Sequence, residues 1–357
     1  MKVQYNITFK NIPDRQGDLR INNSIVRQFF FVEDLEDMFM TAQMEILDRH
    51  GVFEFLPLTG QEIIEVELVQ ETESGSVLIQ KVLEFSIFKA ETEHTKNGII
   101  YTFFLVELGF FDFIGKQFSK SYKQKKVSEI VDNVFTHQLK FKENKIKFAI
   151  EETADKIDFI IPYWRPTTTL TYLSHIARRN SSPQEGGFVF YSTLGPAEEK
   201  GSVKNFTSLL SLLKQKVSND SKEIYYLGNY SQAPTYINII LESRNISLIN
   251  NSVLRSGIRG KSFYGVNLHK DKEIIIKQKG ITDFVKNSTF LGSQLNFPKT
   301  IEDMSSDIRF KGYFNTKLIE ADMDYGFRMD FESINKREIF CKGTLNRHAG
   351  KLINISE

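Results

Sequence analysis

Apolar and polar positions alternate with period two through much of the first third of the chain. Val3, Tyr5 and Ile7 fall on one face of a strand over Val3–Thr8. Met38, Met40, Ala42, Met44 and Ile46 alternate with Phe39, Thr41, Gln43, Glu45 and Leu47. On a helix these residues scatter round the axis; on a strand they share a face. Asp48-Arg49-His50-Gly51 predicts a turn, with Gly51 able to take positive φ, and Val52–Leu56 is expected to return as the partner strand. Pro57-Leu-Thr-Gly60 breaks the run. Ile63–Val69 and Val77–Phe88 predict two more strands around the polar turn Glu71–Gly75, and Ile99–Phe111 predicts a continuous apolar strand. Roughly six to eight short strands at regular spacing point to a sandwich or barrel.

The period changes near Gly115. Val127, Ile130, Val131 and Val134 follow helical spacing, with Ser128 as the expected N-cap and an end near Leu139. An aromatic-tipped extended segment, Phe159 to Trp164, then meets Pro166, where a missing N–H costs little at the start of a helix. One of Thr167, Thr168 or Thr169 is expected to cap it. Leu170, Leu173, Ile176 and Ala177 form its apolar stripe, and Arg178 and Arg179 are expected in its last turn, facing the negative end of the dipole. Gly186-Gly187 leads into a short strand, Phe188–Tyr191. Trp164 reads as a large buried anchor and Pro166 as the fixed start of the helix. A third short helix is expected within Thr207–Val217, with Leu209, Leu210, Leu212 and Leu213 inward.

Strand character returns at Ile224–Leu227, Tyr236–Leu241, Ile274–Ile276, Ile308–Tyr313, Phe327–Asn335, Ile339–Gly343 and the alternating Gly350–Ile355. The expected fold is therefore mainly β with a smaller α+β part. Three regions follow: a β domain over 1–115, a helix-containing α+β domain over 116–220, and a second β domain over 221–357 in which 266–300 resists assignment. No short-period repeat is present.

Composition sharpens this picture. The chain has 31 Phe and 13 Tyr but one Trp and 8 Pro, a bias that favours sheet. At 357 residues it exceeds one ordinary core. The 46 basic and 45 acidic side chains nearly cancel, which argues against a dedicated nucleic-acid binder. A lone cysteine, Cys341, forms no internal disulfide, as expected for assembly in a reducing cytoplasm. The first residues lack the apolar segment of a signal peptide, and no apolar run approaches the length of a membrane span, so a soluble chain is expected.

Candidate chemistry is sparse. His50, His94, His137, His175, His269 and His348 are dispersed, with no HExxH, CxxC or His-x-His spacing, so neither a metal nor a cofactor is expected. His175 reads as a packed or surface helix residue rather than a general base, and Cys341 as a strand cysteine rather than an activated thiol. Glu151-Glu152 and Glu320 with Asp322 establish no acid pair; a hydrolase cleft needs two carboxylates at defined separation. Asp322-Met-Asp324 lacks the glycine and distal glutamate of a calcium loop. Gly257-Ile-Arg-Gly260 is too short for a phosphate loop, and Gly-x-Ser-x-Gly is absent. No catalytic residue is assigned. Lys116, Lys120, Lys123, Lys125 and Lys126 read as a solvated linker. Their interleaving with Phe118 and Tyr122 leaves single-strand nucleic-acid binding as the rival reading.

Several of these segments, taken in order, resemble the central hub proteins of phage tail baseplates, most closely the hub of T-even-type contractile tails. The resemblance rests on Ile161-Pro-Tyr-Trp-Arg-Pro166, the Leu170–Arg179 helix, Gly187–Tyr191 and Phe206-Thr-Ser-Leu209, with Ser128–Leu139 similar to the helix that precedes them. Leu47-Asp-Arg-His-Gly51, Pro57-Leu-Thr-Gly60-Gln-Glu62 and Gly343–Ile355 resemble parts of the family's first and second barrels. Trp164, Pro166, Leu170, Leu173, Gly187, Phe188 and Tyr191 are its structural signature here. The resemblance implies two tail-tube-like antiparallel β-barrels joined by the helical domain, in a homotrimer with pseudo-sixfold symmetry. It also implies a virion protein of the tail baseplate, assembled in the host cytoplasm and not an enzyme. The implied partners are a tail tube protein or tube-initiating ring, a spike protein, baseplate wedge or surrounding ring proteins and a tape measure protein, with DNA only in transit through the lumen. Because the chain stops at Glu357, any spike or lysozyme is expected on a separate chain. The rivals are a tail-associated peptidoglycan hydrolase with the same hub fold, and the spike base of a bacterial secretion system.

Overall fold

The structure, a computed structural model, describes residues 2–12, 17–54, 56, 58–71, 77–141, 146–180, 186–195 and 201–213. Beyond these it describes 224–226, 238–245, 260–267, 272–280, 307–313, 337–341, 349 and 354–356.

The period-two segments of the first third become one curled antiparallel sheet. Its strands are β1 (Lys2–Lys10), β2 (Leu19–Ile21), β3 (Val26–Val32), β4 (Thr41–Asp48), β5 (Ile63–Glu71), β6 (Val77–Thr95) and β7 (Gly98–Glu107), in the order β2-β1-β5-β6-β7-β4-β3. The short turn at Asn23–Ile25 joins the two outermost strands, so the chain itself bridges the sheet's open side. Alternation is clean: Ile64, Val66 and Leu68 on β5 lie beside Ile79, Leu83 and Phe85 of the neighbouring β6 and share one core face with them. Phe9, Phe53 and Phe103 pack at its centre, with ring centroids 5.5–5.8 Å apart. A bulge at Phe88 ends this regime. From there to Thr95 β6 is exposed and pairs with β7 alone.

Three expectations fail here for local reasons. Val52–Leu56 is not a returning strand. The buried Asp48 carboxylate accepts from the amides of His50 (3.1 Å) and Phe53 (2.8 Å), with Gly51 at φ +70°, and so folds Val52–Glu54 into a turn that drops Phe53 into the core. Met38 and Met40 precede β4 instead of belonging to it, and Met38 joins a different core. The apolar run after β7 is not a strand to Phe111. Gly109, at φ +94°, turns the chain into helix α1 (Phe110–Gly115). There Phe110, Phe113 and Ile114 present one helical face to the second core.

That second core belongs to an α+β unit. Two strands, β8 (Phe118–Lys126) and β10 (Lys156–Trp164), form an antiparallel ribbon. Three more, β9 (Lys147–Ile150), β11 (Phe188–Thr193) and β12 (Val203–Ser208), form a sheet in the order β11-β12-β9 with β9 parallel to β12. Helices α2 (Val127–Asn133), α3 (Pro166–Ile176) and α4 (Leu209–Leu213) pack on them, and α2 widens into a π-helical turn over Val134–Gln138. Lys120, Lys123, Lys125 and Lys126 are therefore strand, not linker, while Lys116 closes α1. Phe118 and Tyr122 turn to the core while Lys123 and Lys125 point out. Lys120 Nζ and Tyr122 OH both donate to Asn133 Oδ1, at 2.8 and 2.9 Å, and burial pushes the Tyr122 hydroxyl up to about 12.

The helix ends also depart from expectation. Lys126, not Ser128, caps α2. Ser128 is buried; its N–H donates to Thr153 Oγ1 at 2.9 Å and its Oγ accepts from Thr153 N–H at 3.2 Å. No threonine caps α3. Arg165 holds the cap position without a side-chain bond, and the Thr169 hydroxyl donates back to the Arg165 carbonyl at 3.1 Å. Arg178 and Arg179 lie past the end of α3. They pair with Asp155 (2.8 Å) and Glu151 (2.9 Å), because the carboxylates of the neighbouring segment are closer partners than the helix carbonyls. The third helix begins later than expected, at Leu209, since Val203–Ser208 is strand; residues 214–217 lie outside the described residues.

After residue 213 the described elements are β13 (Ile224–Tyr226), β14 (Asn238–Asn245), β15 (Gly260–Asn267), β16 (Lys272–Gly280), β17 (Asp307–Tyr313), β18 (Arg337–Cys341) and β19 (Asn354–Ser356). They pair as β18-β14-β13-β19 and β16-β15-β17, with β13 parallel to both β14 and β19. The region 266–300 contributes the end of β15 and all of β16. Phe327–Asn335, Glu320, Asp322 and Asp324 lie outside the described residues.

The sheet and the α+β unit are joined by a buried ion pair. Lys204 on β12 is 0% exposed. Its ammonium donates to Glu107 at the end of β7, to the Met38 carbonyl (3.0 Å) and to Ser192 Oγ on β11 (3.3 Å), and lies 4.0 Å from the Phe39 ring centre. Glu107 also accepts from the Met40 amide (3.0 Å) and the Ser202 hydroxyl. Burial pulls the Lys204 ammonium down while Glu107 pulls against it. Lys204→Met leaves Glu107 charged and buried, so we expect it to cost about 3–5 kcal/mol in urea unfolding, with part regained in Lys204→Met/Glu107→Gln.

Candidate assembly surfaces

The stretch from β10 to β11 is built on three fixed points. Phe159, Trp164 and Tyr172 form a ring cluster, with Phe159 stacked on Tyr172 at 5.5 Å and Trp164 edge-on to Tyr172 at 5.7 Å. Pro166 sits buried at the first position of α3, and Leu170 and Leu173 point from that helix into the core. Gly187, at φ +80°, delivers the chain into β11, where Phe188 and Tyr191 are buried. Phe188 and Phe190 flank Phe206 at 4.7 and 4.5 Å. Trp164 differs from expectation: it is half-buried at the edge of the cluster.

Glu151 holds the other side of this unit. Its carboxylate accepts from Arg179 Nε (2.9 Å), Thr207 Oγ1 (2.7 Å), the Ser208 amide (2.8 Å) and Ser211 Oγ (2.7 Å). Burial pushes the carboxyl up, but the four donors outweigh it and hold the pKa below its ordinary 4.5. Glu33 does comparable work between distant segments, accepting from the Leu194 and Ala349 amides, both at 2.7 Å. Neither residue carried a sequence signal, since a carboxylate's partners lie far along the chain.

Two surfaces stand open. The first is a cleft of about 760 Å³ between the sheet and the α+β unit. Phe30, Phe39, Phe88, Phe104, Phe110, Phe113 and Phe190 line it, and its charged lining residues are Glu36 and Asp37. Burial and the neighbouring Asp34 raise the Asp37 carboxyl above its ordinary value. The second is the outer face of the β8/β10 ribbon, where Ile160 and Tyr163 are 68% and 66% exposed and Asp158 accepts from the Gln124 amide at 2.7 Å; Lys125, opposite Ile157, pairs with Glu129 at 3.3 Å.

The histidines fall on separate elements. His50, His94 and His137 are exposed, His175 is half-buried in the last turn of α3, and His269 and His348 lie outside the described residues. Among the described residues no three His, Cys, Asp or Glu side chains gather as metal ligands, and no helix is long and apolar enough to cross a membrane.

By sequence the chain matches no protein-family model and no curated protein. By structure it is similar to the 43 kDa tail protein of prophage MuSo2 from Shewanella oneidensis. That match has 11% identity and a TM-score of 0.51, over 99% of this chain and 88% of the other. The chain has the fold of a phage tail protein. A tail protein from Neisseria meningitidis MC58 is matched at 10% identity over 89% of this chain and 74% of its own, TM-score 0.46. A Francisella PdpA–VgrG complex is matched at 10% over 87% and 40%, TM-score 0.43. In this tail-protein fold the signature residues Pro166, Leu170, Leu173, Gly187, Phe188 and Tyr191 are buried and Trp164 is half-buried.

Two predictions follow from burial and charge. Trp164→Ala should cost about 2 kcal/mol in denaturant unfolding, against about 3–5 kcal/mol for Phe188→Ala, because only the latter empties a fully enclosed site. Glu151 has a folded pKa below its unfolded one, so its contribution is present above pH 4.5 and fades as pH falls below that. Glu151→Gln should therefore be less stable than wild type at pH 7, and the gap should close in melts taken on the acid side of pH 4.5.

Proposed function

We propose that this chain is a structural subunit at the centre of a phage-tail-type baseplate, a hub of the T-even contractile kind. On this reading residues 1–115 and 221–357 are two tube-like barrels and 116–220 the domain between them. Three copies then present six barrels to a six-fold tail tube or its initiating ring and a three-fold face to a spike. Wedge or ring proteins surround the hub, and the tape measure protein and DNA pass through its lumen. The reading makes the chain a virion component and not an enzyme.

The observation that carries this reading is the likeness of nearly the whole chain to a prophage tail protein. A symmetry argument supports it. A ring of six-fold and a spike of three-fold symmetry meet without mismatch only through an adaptor that repeats its contact element twice per chain. The curled sheet of β1–β7, with its open side bridged by Asn23–Ile25, is of the form such an element needs.

Sedimentation equilibrium or mass photometry of the purified full chain should give a mass three times the 41.3 kDa monomer. A zymogram on purified cell wall should show no clearing. A stable monomer at all concentrations would count against the hub, and clearing would replace it with the hydrolase reading.

A further inference from the structure

A tight turn at Lys96-Asn97 joins β6 to β7, and it carries the one Asn-Gly pair in the chain. The fold fixes the glycine. Gly98 takes φ +132°, and a Cβ there would meet the Asp48 carbonyl oxygen at 2.5 Å, so a larger residue displaces the turn that buries Phe53. The asparagine is held far less. Asn97 is exposed, its amide donates to Thr95 Oγ1 at 3.4 Å, and its carboxamide makes no hydrogen bond among the described residues. Two other described asparagines precede a small residue, and both are tied down. Asn23, before Ser24, donates to the Tyr5 carbonyl; Asn180, before Ser181, donates to the Glu152 carboxylate at 2.9 Å.

This arrangement has a chemical consequence. A glycine has no Cβ to shield its amide nitrogen from the side chain that precedes it, and a carboxamide without a partner is free to turn toward that nitrogen. We infer that Asn97 is a site of spontaneous deamidation, with water as the co-reactant. The Gly98 amide nitrogen gives up its proton to base and attacks Asn97 Cγ. A bond forms between them, the Cγ–Nδ2 bond breaks, and Nδ2 leaves as ammonia with a proton from solvent. Water then opens the five-membered imide at either carbonyl, leaving aspartate or isoaspartate at position 97. No electrons change hands. The isoaspartate form routes the main chain through Cβ and so lengthens the turn by one carbon. Thr95 and Gly98 close that turn as a strand pair, with the Thr95 hydroxyl donating to the Gly98 carbonyl at 2.7 Å, and this closure is the contact that the longer chain disturbs. The inference stands apart from the hub reading.

The test uses the full chain, held for several weeks in warm, mildly alkaline buffer and then mapped by peptide mass spectrometry. The peptide containing Asn97 should gain about one mass unit and separate into two forms, one of which an isoaspartyl methyltransferase labels. The converted fraction should grow with pH, because the attacking nitrogen must first lose its proton, and should run several-fold ahead of Asn23 and Asn180. In urea, which undoes the ties of those two carboxamides, their conversion should speed up and the gap should narrow. Asn97→Gln alters an exposed side chain and moves the carboxamide one methylene farther from Gly98, so its melt should match wild type and its peptide should keep its mass. An Asn97 peptide that keeps its mass through the incubation, one converted no faster than Asn23 and Asn180, or a shift that persists in Asn97→Gln would overturn the inference.

Discussion

A buried ammonium ties the curled sheet to the α+β unit. Lys204 spends its three donors on Glu107, the Met38 carbonyl and Ser192, and lies over the face of Phe39. Removing two charges from water is costly, and a pair buried this deeply is tolerated only when the remaining donors and acceptors are satisfied as well. They are: the Glu107 oxygen that takes Lys204 also accepts the Met40 amide, and its other oxygen accepts the Ser202 hydroxyl. Such a network fixes geometry more than it adds stability. The sheet has one position against β11 and β12 at which every member finds its partner, and any slip strands a charge. Glu33 and Glu151 repeat the device with backbone amides and hydroxyls, so three carboxylates set how distant segments meet.

How much of this was legible in the chain depends on the range of the cause. Strands β1 and β4 to β7 of the first sheet were, because period-two alternation is a local record of which face is buried, and β5 and β6 keep it through most of their length; β2, three residues long, and β3, mostly exposed, were not read. The path from β10 to β11 was legible too, since Pro166 and Gly187 are backbone constraints that act where they stand. Short apolar runs were not. Phe110–Phe113 reads equally as strand or helix until Gly109 turns the chain, and Val52–Leu56 reads as strand until the Asp48 carboxylate gathers its amides. The lysine strand β8 hid its pattern because its inward positions are only half-buried. β9 and β12 were missed altogether: one has four residues, and the other carries a lysine inward at a position whose partner, Glu107, lies 97 residues away.

Trp164 shows a further limit. Size and rarity mark it as an anchor, but burial is decided by what surrounds a side chain. The fully enclosed positions went to Phe188 and Phe206, which are flat, smaller and free of a polar atom that needs a partner. This also explains how a chain keeps a tail-protein fold at 11% identity with its structural neighbour. A core tolerates exchange among apolar residues so long as volume and pattern hold. What persists is the order of elements, and order leaves little trace in matched letters.

The joint at Lys204 has a consequence on the surface. Met38, Phe39 and Val106, which line the cleft, adjoin the residues that bind or satisfy the ion pair, and Val189 and Phe190 line the facing wall on β11. The polar contacts fix the distance between the walls, so the cleft does not collapse to bury its phenylalanines, as an unconstrained apolar seam would. Phe88 and Phe111 are left stacked at the rim. An apolar opening held apart by a charge network costs the monomer hydrophobic stabilisation that a looser seam would recover. Walls set apart in this way would need little reshaping to admit an apolar group.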